Sequence, residues 1–266
     1  MGQTKREYGK IGFIGTGNMG AALARAVRRQ LPQAEILLAN RSLAKALALA
    51  KELSCQVVEN HVAAAECQFL FLGVKPGQME PLLTGLSPVL KERETPPLLV
   101  SMAAGITLEQ LDRFSGGMPG VRIMPNTPVA IGRGITLYAW SRNAPPQSRE
   151  AFLELLAASG SLIEIEEHLM GAAGKVAGCG PAFVDLFIEA LADGGVASGL
   201  PRELALRLAE EMTAGAAMLA LDTKAHPGAL KDAVCSPGGS TIQGIRALEK
   251  AGFRSAVMEA VIAADK

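Results

Sequence analysis

The sequence predicts an α/β chain: a doubly wound parallel sheet in its first part, followed by a part made of helices alone. Three observations predict it. Short apolar runs alternate with helical stretches as far as Glu166, the pattern of strands joined by crossover helices. The first run, Ile11-Gly12-Phe13-Ile14, leads straight into Gly15-Thr16-Gly17-Asn18-Met19-Gly20 and then a helix rich in Ala and Leu. Beyond Glu167 strand-like runs cease and helical ones continue. These place a sheet domain at 1–167 and a helical domain at 168–266.

Composition bounds the function. The 266 residues are 49% hydrophobic, enough for two compact domains. Lys+Arg and Asp+Glu both number 26, aromatics make up 4%, and no long basic run occurs, which argues against nucleic acid or anionic lipid as partner. Cys55, Cys67, Cys179 and Cys235 lie far apart without a C-x-x-C pair. That spacing suits free thiols in a reducing compartment better than a disulfide framework or a metal site. No apolar run has the length of a membrane span. Met1 to Lys10 lacks the apolar core of a signal peptide, and Arg6 stands where a myristoylation signal wants Ser or Thr. A cytoplasmic protein is expected.

The segment 15–20 is G-x-G-x-x-G between a strand and a helix. Gly15 permits the tight turn, Gly17 lets a pyrophosphate approach the backbone, and Gly20 allows close helix–strand packing. This is the Rossmann-type dinucleotide signature. The second strand, 35–39, ends at Asn40-Arg41-Ser42. NAD-specific sites carry a carboxylate here for the ribose 2′-hydroxyl. A neutral Asn followed by a guanidinium favours a 2′-phosphate instead. NADPH is therefore expected, with NADH as the second candidate.

Further helices are expected at about 42–53, 78–90 and 147–158, with strands at 69–74, 98–101, 135–140 and 162–166. Ligands gather at the carboxyl ends of such strands, which brings Lys75-Pro76, Ala103-Ala104 and Met124-Pro125-Asn126-Thr127-Pro128 to one rim. In the helical part Pro181 opens a helix, Gly199-Leu200-Pro201 stops it, and a long helix runs to about Leu221. The small residues 214–217 would allow close helix–helix approach. So many apolar faces on so few helices point to a dimer builder. Near its end, Ser236-Pro237-Gly238-Gly239-Ser240-Thr241 breaks one helix and starts the next. Unpaired N–H groups at such a start suit an anion such as a carboxylate, against the plainer reading of an ordinary cap. His61, His168 and His226 are isolated and read as structural or solvated.

The combination resembles pyrroline-5-carboxylate reductases over nearly the whole chain. The most specific stretch is His226-Pro227-Gly228-Ala229-Leu230-Lys231-Asp232, then Val234, then Ser236 to Thr241, followed by Gly252-Phe253-Arg254-Ser255. Val74-Lys75-Pro76, Ala103 to Thr107, Met124 to Pro128 and Ala192-Asp193-Gly194-Gly195-Val196 support it. The resemblance implies reduction of L-1-pyrroline-5-carboxylate to L-proline, the last step of proline biosynthesis. It implies a Rossmann domain with a helical dimerisation domain, and dimers that often assemble into decamers. Cofactor contacts are implied at Ile14, Gly15, Thr16, Gly17, Asn18, Met19, Asn40, Asn60, Gly73, Val74, Lys75 and Pro76, with Met102, Ala103 and Ala104 near the nicotinamide. Arg41 and Ser42 join them from the strand-end argument. The substrate is implied to lie between subunits, its carboxylate on Ser236, Gly239, Ser240 and Thr241, with Glu167 also lining the pocket. Thr241 is the candidate to polarise the imine nitrogen, directly or through water, a threonine hydroxyl being a weak acid.

One departure stands out. The family usually reads Ser-Gly-Ser-Gly-Pro-Ala where this chain has Ala177-Gly178-Cys179-Gly180-Pro181-Ala182, and Thr-Ala-Leu where it has Gly174-Lys175-Val176. Two rival readings compete. A 3-hydroxyacid dehydrogenase would use Lys175 as its catalytic lysine, but Cys179 stands four residues after it and the Asn of that motif has no counterpart nearby. A non-catalytic NADP(H)-binding regulator would not need the Thr241 loop.

Overall fold

The computed structural model describes residues 8–265 and divides into two compact units, Met1–Gly178 and Cys179–Lys266. In the first unit, β1 (Lys10–Ile14), β2 (Ile36–Ala39), β3 (Gln56–Val57), β4 (Cys67–Leu72), β5 (Leu98–Ser101), β6 (Gly120–Pro125), β7 (Gly134–Trp140) and β8 (Gly160–Glu164) form one sheet. The helices between them are α1 (Asn18–Gln30), α2 (Leu43–Leu53), α3 (Asn60–Glu66), α4 (Met79–Lys91), α5 (Leu108–Ser115) and α6 (Pro146–Leu155), and α7 (Met170–Ala177) follows the last strand.

The strand order is β3-β2-β1-β4-β5-β6-β7-β8. From β1 the chain first winds outward to β2 and β3, then crosses back to place β4 on the other side of β1. The switch point between β1 and β4 opens a crevice at their carboxyl ends, where ligands of such sheets bind. Alternation along the strands explains why helices cover both faces. Phe13, Leu38, Phe69, Phe71 and Val100 pack with Leu23 and Val27 of α1 and Phe152 of α6 on one side. Leu37, Leu70, Leu72 and Leu99 pack with Ala63 of α3, Leu83 of α4 and Leu111 of α5 on the other. Phe13 and Phe71 stack at 4.5 Å between centroids, joining β1 to β4 below the crevice.

Two details depart from the sequence-based picture. The sheet is not wholly parallel: β7 runs antiparallel to β6, because the 126–133 connection holds one 3₁₀ turn and no crossover helix. The short β3 and the helices α3 and α5 were also unforeseen. Parallel pairing resumes between β7 and β8.

The second unit contains α8 (Gly180–Ala197), α9 (Arg202–Thr223), α10 (Pro227–Ala233), α11 (Ser240–Lys250) and α12 (Phe253–Ala263). Pro201 is the N-cap of α9, one residue before its first turn. The close approach of α8 and α9 is at Ala192, Ala205 and Ala209, all buried, and a Cβ on Gly195 would lie 3.1 Å from that of Ala205. The small residues 214–217 are exposed instead. Apart from those three alanines, α8 to α12 bury no side chain fully. Leu186, Leu221 and Ile262 are each more than half exposed, at 67%, 76% and 61%. Contiguous apolar exposure of this kind is what interaction surfaces carry.

Candidate functional site

A cavity of about 1170 Å³ lies at the carboxyl ends of β1, β2 and β4. Its wall gathers Ile14, Gly15, Thr16, Gly17, Asn40, Arg41, Ser42, Asn60, Gly73, Val74 and Lys75 from four separate stretches of chain. Thus most of the residues expected to hold the cofactor share one wall. Asn18, Met19, Pro76, Met102, Ala103 and Ala104 do not line it. Asn18 opens α1, and Met19 leans on the core beneath it. Met102 begins the loop after β5; its N–H donates to Leu72 O at 3.3 Å, and its sulfur sits 3.4 Å from where Gly73 would carry a Cβ.

The residues fit a dinucleotide. Gly15 has φ +95°, a left-handed conformation that favours glycine. A Cβ there would come within 2.5 Å of Gly73 O. At Gly20 a Cβ would collide with Gly15 O, whereas at Gly17 nothing lies within 4 Å. The open side of Gly17 is the cradle a phosphate backbone needs. The Thr16 hydroxyl is buried in this wall without a hydrogen-bond partner among the described residues, an orphan donor that a bound ligand would satisfy. Asn40 acts as a strut: its Oδ1 accepts from Thr16 N–H at 3.4 Å and its Nδ2 donates to Ser42 O at 3.0 Å. The Arg41, Ser42 and Lys45 side chains are exposed at the mouth beside it.

Two further residues of this wall carry no sequence signal. Glu59 and His61 line the cavity, with His61 Nδ1 3.3 Å from Glu59 Oε2. β3 is only two residues long, so no periodicity announces the turn that carries them. The other histidines are structural or peripheral: His226 caps α10 by accepting the Gly228 N–H at 3.0 Å, and His168 pairs with Glu166 at 3.2 Å.

Asn126, expected on the rim, is buried and stitches the fold. Its Oδ1 accepts from Ile135 N–H at 2.8 Å, and its Nδ2 donates to Ala177 O at 2.9 Å. Glu167 Oε1 accepts from Leu108 N–H at 2.6 Å and from Arg122 Nη1 at 3.0 Å. Leu108 is the first residue of α5, so this carboxylate also sits well at a helix N-terminus. The glycine at 174 has a packing reason as well: a Cβ there would strike Met124 Sδ.

In the second unit the Ser236–Thr241 loop forms a tight turn. Gly238 has φ +71°, and the Gly239 N–H donates to Ser236 O at 3.0 Å. Gly239 therefore does not offer the free donor expected of it. The turn leaves the N–H groups of Ser240 and Thr241, in the first turn of α11, without a backbone acceptor among the described residues. Both side chains are exposed. Among the described residues no three His, Cys, Asp or Glu side chains gather as a metal site, and no helix is long and apolar enough to cross a membrane.

Comparison with known proteins decides the assignment. The family profile described as pyrroline-5-carboxylate reductase dimerisation matches residues 167–266, and one described as NADP oxidoreductase coenzyme F420-dependent matches 10–105. The chain is 40% identical to the pyrroline-5-carboxylate reductase of Glycine max, over 96% of this chain and 93% of that one. The chain belongs to the pyrroline-5-carboxylate reductase family. The reductase of Methanosarcina acetivorans is likewise 40% identical, over 98% and 97% of the two chains. The crystal structure of Plasmodium falciparum pyrroline carboxylate reductase with NADP bound superposes with a TM-score of 0.85 at 31% identity, covering 97% and 95%. The activity of this reductase is the NAD(P)H-dependent reduction of L-1-pyrroline-5-carboxylate to L-proline, in proline biosynthesis. The hydroxyacid dehydrogenase and regulator readings are set aside with it.

Proposed function

We propose a division of labour that follows the sequence: residues 1–167 hold the dinucleotide, and 168–266 hold the substrate and make the dimer. The observation that carries the first half is the cavity that unites Gly15, Thr16 and Gly17 with Asn40 to Ser42, Asn60 and Gly73 to Lys75. The Gly17 backbone faces the pyrophosphate, and the Thr16 hydroxyl donates into the same space. Arg41, with Lys45 close in sequence, takes the 2′-phosphate, which makes NADPH the preferred cofactor. Asn18, Met19, Pro76, Met102, Ala103 and Ala104 complete the cofactor contacts as the resemblance implies, the last three toward the nicotinamide.

The bound nicotinamide supplies the hydride. What the protein adds is orientation and management of one proton. The substrate is a cyclic imine with a carboxylate, and we assign that carboxylate to the Ser240 and Thr241 N–H groups, with Ser236 and Gly239 shaping the turn that presents them. The Thr241 hydroxyl donates toward the imine nitrogen, so its contribution is felt as hydride addition at carbon pushes the C=N electron pair onto that nitrogen, which then takes up a proton. Glu167 already binds Arg122 and Leu108 through Oε1, so any substrate contact of its own falls to Oε2.

A homodimer follows from the exposed apolar faces of α8, α9 and α12; assembly of dimers into decamers is proposed from the family resemblance alone. Four free cysteines support a reducing, cytoplasmic setting. Direct titration with NADPH and NADH, beside steady-state kinetics of Thr241→Ala, tests the two halves separately. NADPH binding that survives Arg41→Ala undiminished would contradict the first half. Unchanged kcat and KM in Thr241→Ala would contradict the second.

A further inference from the structure

We propose that Glu59 and His61 form a protonation-dependent selectivity element for the 2′-phosphate end of the dinucleotide. The inference rests on the cofactor assignment above. Sheet geometry brings the pair to that end. Leu37 and Leu38 of β2 register with Gln56 and Val57 of β3, and Val58 N–H donates to Leu38 O at 2.9 Å. The chain leaving β3 therefore departs from the edge of β2, whose own end leads into Asn40 and Arg41, and both segments line the one cavity. In a dinucleotide fold the end of the second strand is where the ribose 2′ position is read.

Charge gives the pair its meaning. Glu59 is the one carboxylate lining the cavity among the described residues; the other charged groups there are Arg41, Lys45 and Lys75. A carboxylate at this place works against a 2′-phosphate. His61 Nδ1 lies 3.3 Å from Glu59 Oε2, so a protonated imidazole cancels that charge locally. Histidine is the side chain whose charge changes between about pH 5 and 8. With the imidazole protonated the pair is neutral; with it neutral the pair carries one negative charge, which disfavours NADPH against NADH. His61 is thus a specificity-determining residue, and its effect is modest because both side chains are solvated, at 59% and 82% exposure.

The test is direct binding, by quenching of protein or cofactor fluorescence, of NADPH and NADH at pH 5.5 and 8.5. Comparison of variants at fixed pH removes the titration of the 2′-phosphate itself. His61→Gln is expected to bind NADPH about two- to fivefold more weakly than wild type at pH 5.5 and equally at pH 8.5. Glu59→Gln is expected to bind NADPH about two- to fivefold more tightly, and NADH equally. His61→Gln matching wild type at both pH values would overturn the inference while leaving the cofactor site intact. So would a Glu59→Gln effect that is the same for NADH as for NADPH. Wild-type protein that binds NADPH at neither pH would overturn both.

Discussion

The backbones of Gly15 and Gly73 touch where β1 and β4 end. Gly73 N–H donates to Ile14 O at 2.8 Å, and a Cβ on either glycine would stand 2.5 Å from the carbonyl oxygen of the other. This contact closes the floor of the switch-point crevice and sets the path of the phosphate-binding turn. Neither residue can carry a side chain there without parting the two strand ends.

Gly73→Ala is therefore expected to cost about 2 kcal/mol or more of stability and to weaken NADPH binding at least tenfold. Gly15→Ala adds the strain of a left-handed φ, about 1–3 kcal/mol. Denaturant unfolding and cofactor titration on the same samples check both. An Ala variant at either position that binds NADPH normally would show that the contact is incidental.

Arg41→Ala should raise the dissociation constant for NADPH about tenfold or more, since it removes a charge-assisted contact. The constant for NADH should move less than twofold. The ratio of the two, measured at one ionic strength, isolates the 2′-phosphate. An equal change for both cofactors would place Arg41 elsewhere in the site.

Thr241→Ala should lower kcat by about 10²–10³-fold if its hydroxyl stabilises charge on the imine nitrogen. Thr241→Ser, which keeps the hydroxyl, should recover most of that loss. A deficit in KM alone would instead assign Thr241 to holding the substrate.

The Arg122–Glu167 pair joins β6 to the turn that precedes α7, and the Arg122 side chain is only 11% exposed. Glu167→Ala strands a largely buried guanidinium and an α5 N–H, which should cost about 1–3 kcal/mol. A fall in Tm accompanied by a near-normal KM in the folded fraction would mark Glu167 as a positioning residue. A raised KM without loss of stability would mark it as a substrate ligand.

Cys67 lies within the first unit's core, and burial pushes its thiol up to about 12. At pH 8 it should resist iodoacetamide in the native protein and react only on unfolding. The same shift means that the folded state holds this proton longer than the unfolded one. Its contribution to stability is complete below the ordinary value of 9.0 and is lost as pH rises toward about 12.

How far the sequence could be read depended on how local each feature is. The glycine turn was legible because strand, turn and helix are consecutive and each glycine has its own steric reason. Strands β1, β2, β4 and β5 were legible as short apolar runs between helical stretches. By contrast, β3 has two residues, and its sheet position comes from pairing with Leu37 and Leu38 alone. That is why Glu59 and His61 escaped notice. The direction of β7 depended on the lack of a crossover helix after Pro125, which periodicity does not report. Arg122 and Glu167 are 45 positions apart, and no spacing rule links them. At the Ser236–Thr241 loop the break between helices was legible from Pro237, Gly238 and Gly239, yet the Gly238 turn draws the Gly239 N–H inward. A free donor at that position was a local expectation that the turn geometry overrode.

The reductase takes its hydride from NAD(P)H and delivers it to a five-membered cyclic imine bearing a carboxylate. The most direct measurement is NADPH oxidation by the purified protein with pyrroline-5-carboxylate, run beside NADH and beside the six-membered ring imine, with proline quantified as product. The account predicts stoichiometric proline formation, faster with NADPH than with NADH at subsaturating cofactor. NADPH consumption without proline, or no turnover of pyrroline-5-carboxylate by a protein that binds NADPH, would contradict it.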